Sequence, residues 1–98
     1  MTRTEALAIL RTAAPELRAR FGVSRLGLFG SVARDEAGPD SDVDLVAEFD
    51  VGATLSAFGL LELEARLSEL LGRPARIAAL SRMNKVLRAS VDRDLVYA

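Results

Sequence analysis

"LFGSVARDEAGPDSDVDLV", residues 28–46, decides how the rest of the chain is read. An apolar run reaches Phe29 and breaks at Gly30-Ser31. The stretch closes on Asp42 and Asp44, one residue apart, and a second apolar run follows. A strand that stops at glycine and enters a helix at serine turns free backbone N–H groups toward whatever lies above the turn. Glycine permits close backbone approach and the serine hydroxyl adds a donor, which is the geometry that receives phosphate. Arg34 lies three residues on, on the same face of the expected helix as Ser31, where a guanidinium reaches the same anion. A Gly-Ser step alone is weak, since an N-cap accounts for it equally well.

The aspartates say more. Residues two apart on a strand share a face, with Cα atoms roughly 6.5 Å apart. Carboxylates so placed repel each other unless a cation lies between them. Magnesium takes one or two carboxylates plus substrate phosphates, so Gly30-Ser31 and Asp42/Asp44 suit the two ends of a metal-bound phosphate chain. The plainer alternative is a solvated turn: "GPDSD" is loop chemistry, and Asp40 or Ser41 can cap or close it. Asp42 taken alone reads that way. Asp44, between Val43 and Leu45 at the head of a buried run, does not. The bare pattern of Gly-Ser, ten residues and Asp-x-Asp arises by chance in roughly one chain per thousand of this length.

Composition narrows the chemistry. The 98 residues make one domain, 1–98, with half the residues apolar and a net charge of −1, so no basic field recruits nucleic acid. There is no cysteine and no histidine, which removes thiolate nucleophiles, imidazole bases and the usual zinc ligands. A metal must be held by oxygen, favouring magnesium, manganese or calcium. No apolar run approaches a membrane span and "MTRTEALAIL" lacks a signal-peptide pattern, so a cytoplasmic, soluble protein is expected.

Around the motif the periodicities predict the order αβαβαβα. Leu7, Leu10, Leu17 and Phe21 mark a first helix, capped by Thr4, kinked or restarted at Pro15 and ended by Gly22. "SRLGLFG" and "SDVDLVAEF" read as buried strands. Residues 55–71 give the clearest helix, with Leu60, Leu63, Leu67, Leu70 and Leu71 in a stripe and Glu62 four before Arg66. "ARIAAL" is a third strand. A last helix starts near Asn84, and "LVYA" continues it or extends as a tail. The expected fold is α+β, a small sheet of three or four strands covered by helices on one side, with a site at its edge or open face. Arg82, Lys85, Arg88 and Arg93 read as a solvated basic face, and Tyr97 as a packing residue or exposed end.

The run "LFGSVARDEAGPDSDVDLV" resembles the signature of the DNA polymerase beta-type nucleotidyltransferases, and within them the minimal nucleotidyltransferase (MNT) proteins. The likeness extends over the long middle helix, "LGRP" before the third strand and the closing helix. It implies a mixed sheet in a layered, polymerase beta palm-like core, and transfer of AMP from Mg-ATP (or Mn-ATP) to a hydroxyl. It further implies an antitoxin whose partner is a helical HEPN toxin, an RNase neutralised by binding and by adenylylation of a tyrosine. By the same resemblance Asp42 and Asp44 are the catalytic, metal-binding pair, and Gly30, Ser31, Arg34 and Ser41 the nucleotide-binding set.

One departure stands out. The family's third carboxylate, on the third strand after Gly-x-Pro, is replaced in "GRPARIAAL" by Arg76, which can pair with Asp42 or Asp44. Asp50, Asp92 or Asp94 would have to be brought in to replace it, Glu48 lies too far along its strand, and a shifted strand register is the remaining way out. Small size leaves no second domain to hold an acceptor, so a partner protein, in a homo- or hetero-oligomer, is expected to present it. A contact-only binding module on the same fold is the rival reading, and a small-molecule nucleotidyltransferase the third.

Overall fold

Two central strands carry the motif. In the computed structural model, which describes residues 1–53, 55–78 and 83–98, β1 (Val23–Phe29) runs antiparallel to β2 (Val43–Phe49). Paired positions alternate between the two faces: Leu28 lies opposite Leu45 and Leu26 opposite Ala47, while Gly27 faces Val46 and Phe29 faces Asp44. The first set points into the core and the second set onto the other face. β3 (Ala75–Ile77) lies parallel to β2, and β4 (Val96–Tyr97) antiparallel to β1, giving the order β3-β2-β1-β4.

Helices α1 (Arg3–Phe21) and α3 (Ala57–Leu71) close the core face. Leu10 and Leu17 of α1 and Leu63 and Leu67 of α3 are fully buried with Leu28, Val43 and Leu45. The expected leucine stripe holds at Leu63, Leu67 and Leu71; Leu70 is half-buried and Leu60 lies at its exposed margin. Arg66 does not use Glu62. It grips Glu16 of α1 through Nε and Nη2 at 2.7 and 2.8 Å and holds Glu69 with Nη1, stitching the two helices together. Hydrogen bonding from Arg66 keeps the Glu16 carboxyl below its ordinary range.

Local chemistry sets the helix ends. Gly22 and Gly72 terminate α1 and α3 in the left-handed region, at φ 74° and 70°, where glycine is unstrained. The cap of α1 is Thr2 rather than Thr4: the helix has begun by Arg3, and Thr2 Oγ1 accepts from the Glu5 N–H at 3.1 Å. Pro15 does not restart α1, which is continuous from Arg3 to Phe21; it lies on the exposed face, where the carbonyl it leaves unbonded can meet water. Ser56 Oγ accepts from the Gly59 N–H at 3.1 Å at the head of α3. Ser56→Ala is expected to remove about 1 kcal/mol, a fall of ~4–8 °C in Tm by calorimetry.

The second face of the sheet is not left open. α2 (Gly30–Ala33) and α4 (Lys85–Asp94, capped by Asn84) pack together, and α4 also meets β1. Val46 and Val91 are buried outside the main cluster, and a Cβ on Gly27 would collide with Leu95 and Val46. Helices thus lie on both faces, where one side was expected from the periodicities. The tail "LVYA" forms β4 instead of prolonging the helix, with Tyr97 stacked under Arg25. Lys85, Arg88 and Arg93 are exposed, as read; Arg82 and residues 79–80 of the expected third strand lie outside the described residues. Among the described residues no helix is long and apolar enough to cross a membrane.

Candidate active site

Phe29 ends β1 fully extended, and Gly30 then reverses the chain at φ +78°. Only glycine takes this conformation without strain. A second constraint falls on the same atom: a Cβ at Gly30 would lie 2.5 Å from Asp44 Oδ2. The first turn of α2 is therefore pressed against the Asp44 carboxylate. Residues 30 and 44, remote in sequence, meet because Phe29 and Asp44 are opposite each other in the β1–β2 ladder. α2 is a single turn that stops at Ala33, so Arg34 is its C-cap rather than a residue on its face.

Asp42 and Asp44 are both half-buried at the head of β2. Burial pushes the Asp44 carboxyl above its ordinary range, and the negative Asp42 pushes it further; Arg76 and Arg34 pull the other way. The two acids thus form a repelling pair that a cation would relieve. Its oxygen-only donor set, beside a turn with backbone to spare, fits a hard divalent ion held jointly with a ligand's own oxygens. Among the described residues no third acid joins the pair to make a larger metal-binding group. Glu48, Asp50, Asp92 and Asp94 are instead engaged by Arg25, Arg18, Arg88 and Arg34.

The strand register fixes where Arg76 stands. Val43 N–H donates to the Pro74 carbonyl and Ala78 N–H to the Leu45 carbonyl, both at 2.8 Å. These bonds set Asp44 directly beside Arg76 in the parallel pair, with no slip that would bring an acid there. The Arg76 Nε lies 3.0 Å from Asp42 Oδ2, so the expected pairing forms with Asp42. The side chain stays 73% exposed.

The remaining sequence-predicted residues are placed less directly. Ser31 is half-buried on α2. Ser41 closes its own turn: its Oγ accepts from the Gly38 N–H at 2.9 Å, the simple capping role that the loop chemistry also allowed. Arg34 is held at Nε by Glu36 at 3.0 Å and at Nη1 by Asp94, tying α2 to the end of α4. Sequence reasoning missed Arg73, whose Nη1 donates to the Gly38 carbonyl at 2.8 Å and so pins the turn that delivers Asp42. Its only signal was its place in the Gly-x-Pro segment before the third strand.

Known proteins resemble this chain in sequence and fold over most of its length. The nucleotidyltransferase domain profile matches residues 10–96. A protein adenylyltransferase, MntA, of Thermococcus cleftensis is 39% identical over 97 residues, covering 99% of this chain and 96% of the relative. Among solved structures, one of a minimal nucleotidyltransferase superposes with a TM-score of 0.72 at 38% identity, covering 98% of this chain and 95% of the other. A chain from a toxin–antitoxin complex with AMP-PNP follows at TM-score 0.65 and 21% identity, covering 99% and 72%; at that identity the likeness is one of fold.

Proposed function

This chain belongs to the nucleotidyltransferase domain family, and on that premise we propose that it transfers AMP from ATP to a hydroxyl of a partner protein, acting as the antitoxin of a HEPN-type RNase. The single observation that carries the reading is the contact of Gly30 with Asp44, which sets a turn able to receive phosphate against a carboxylate pair able to hold a cation. The likeness to an MntA adenylyltransferase along nearly the whole of both chains supports AMP as the transferred group and a protein as the acceptor.

Each residue then has a task. Gly30 and Ser31 offer backbone N–H groups and a hydroxyl to the triphosphate. Asp42 and Asp44 would hold magnesium, which supplies charge neutralisation at the phosphates. Arg34, anchored on Asp94 and Glu36, keeps α2 in place beside the phosphates, and Ser41 with Arg73 keeps the turn that presents Asp42. In the reaction the acceptor oxygen bonds to the α-phosphorus, the bond from that phosphorus to the bridging oxygen breaks, and pyrophosphate leaves. The acceptor's proton is lost to the surrounding solvent. Such a site works by positioning and charge more than by covalent chemistry.

The test uses ATP labelled on either the α- or the γ-phosphate, with magnesium and the purified HEPN partner. Label from the α-position only, fixed on a partner tyrosine, is the expected result. Label from the γ-position would make the protein a kinase and end the reading. A second reading, neutralisation by contact alone, is favoured by the Arg76–Asp42 ion pair standing where an acid would be expected. It requires a tight complex with the partner and no label transfer.

A further inference from the structure

Two guanidiniums flank the paired carboxylates, and their attachments differ. Arg34 holds both Glu36 and Asp94, and the Asp94 side chain is only 9% exposed. Drawing Arg34 onto a ligand would strand that carboxylate unpaired where little water reaches it. Arg76 has a single recorded partner among the described residues, Asp42, and an exposed side chain. A pair of that kind is weak and exchanges easily. Its backbone sits beside Asp44 in the parallel ladder, about 4.8 Å away across the strands, so both side chains rise from one face.

Count the charges this row can manage. Two carboxylates provide protein ligands for one divalent cation, and no third acid joins them among the described residues. A triphosphate still brings more negative charge than one divalent ion offsets. Resting on the nucleotidyltransferase reading above, we propose that Arg76 is a phosphate-contacting residue that takes the place of a second cation. It pairs with Asp42 in the metal-free protein, and it is released to the nucleotide's phosphates once Asp42 and Asp44 are committed to a single divalent ion. Guanidinium suits the task, because its planar fork matches phosphate oxygens and it never loses its charge.

The proposal gives opposite signs for two ligands, which neither a bystander nor a plug would do. Arg76→Ala removes the competitor for Asp42, so Mn2+ alone binds more tightly, by about threefold, as expected for a weak exposed pair. The same change removes the phosphate contact, so AMP-PNP with magnesium binds about tenfold more weakly, the worth of one charge-assisted contact. Arg76→Lys, which keeps the charge without the fork, falls between. The experiment is calorimetric titration of Mn2+ alone, and of AMP-PNP with magnesium, into wild type and both variants. Manganese stoichiometry is then counted by electron paramagnetic resonance in the presence of AMP-PNP. One Mn2+ per wild-type chain is expected.

Two Mn2+ per chain, or unchanged AMP-PNP affinity in Arg76→Ala, would overturn the role given to Arg76 and leave the nucleotide site intact. Tighter binding of both ligands by Arg76→Ala would overturn it too, making Arg76 a plug. Unchanged Mn2+ affinity would overturn the exchange from Asp42. Failure of wild type to bind AMP-PNP would instead overturn the nucleotide reading itself.

Discussion

Asp44→Asn is expected to lower AMP transfer about a thousandfold, ~4 kcal/mol of lost transition-state stabilisation, while raising the Tm of the metal-free protein at neutral pH. The first effect follows from removing half of the carboxylate pair. The second follows from linkage. Burial and the charge on Asp42 raise the Asp44 proton affinity in the folded chain above its unfolded value of 3.8. Between those two values the folded state binds more protons than the unfolded state, so stability falls as pH rises through the window and stays lowered above it. Asparagine carries no such charge. The gain in Tm should therefore be present at pH 7.5 and shrink toward pH 4, followed by calorimetry at both. A variant that lost activity and Tm together would make Asp44 a structural residue, and the site assignment would fail.

The second large effect belongs to Gly30→Val. Two penalties act on one atom: a left-handed backbone that a β-branched residue resists, and a Cβ driven into the Asp44 carboxylate. Strain of ~1–3 kcal/mol and overpacking of similar size give a loss on the order of 3 kcal/mol in urea denaturation. AMP-PNP binding should disappear as well, because the valine occupies the space between turn and carboxylate. Full binding in a destabilised variant would separate the glycine's backbone role from the ligand and remove the main support for the proposed function.

The features legible in the sequence are those that local chemistry dictates. Gly30 had to be a turn glycine, Asp44 had to be aimed out of a buried strand, and the leucines of α3 had to face a core; each needs only its immediate neighbours. Arg76 was also within reach, since Pro74 starts the third strand at a fixed offset, and the backbone bonds through Pro74 and Ala78 hold it there. The features that escaped depend on distant partners. Arg34 is claimed by Asp94 across most of the chain, and Arg66 prefers Glu16 on another helix to Glu62 on its own. β4 has two residues, too few for any alternation, and exists because β1 had an edge to pair. Pro15 reads as a breaker until its exposure is known.

Gly30, Ser31, Asp42 and Asp44 all lie in or beside the connection between β1 and β2, the antiparallel pair at the centre of the sheet. Closing that hairpin spans only residues 30–42, whereas β3 must wait for α3 to cross over and β4 for almost the whole chain. Ring closure is least demanding for the shortest loop, so the pairing that assembles the site is the most local of the sheet. During folding, the phosphate-receiving turn and the carboxylates can meet before the outer strands arrive. In a chain emerging from the ribosome the rudiments of the site could then form once β2 had cleared the exit, ahead of the later strands β3 and β4.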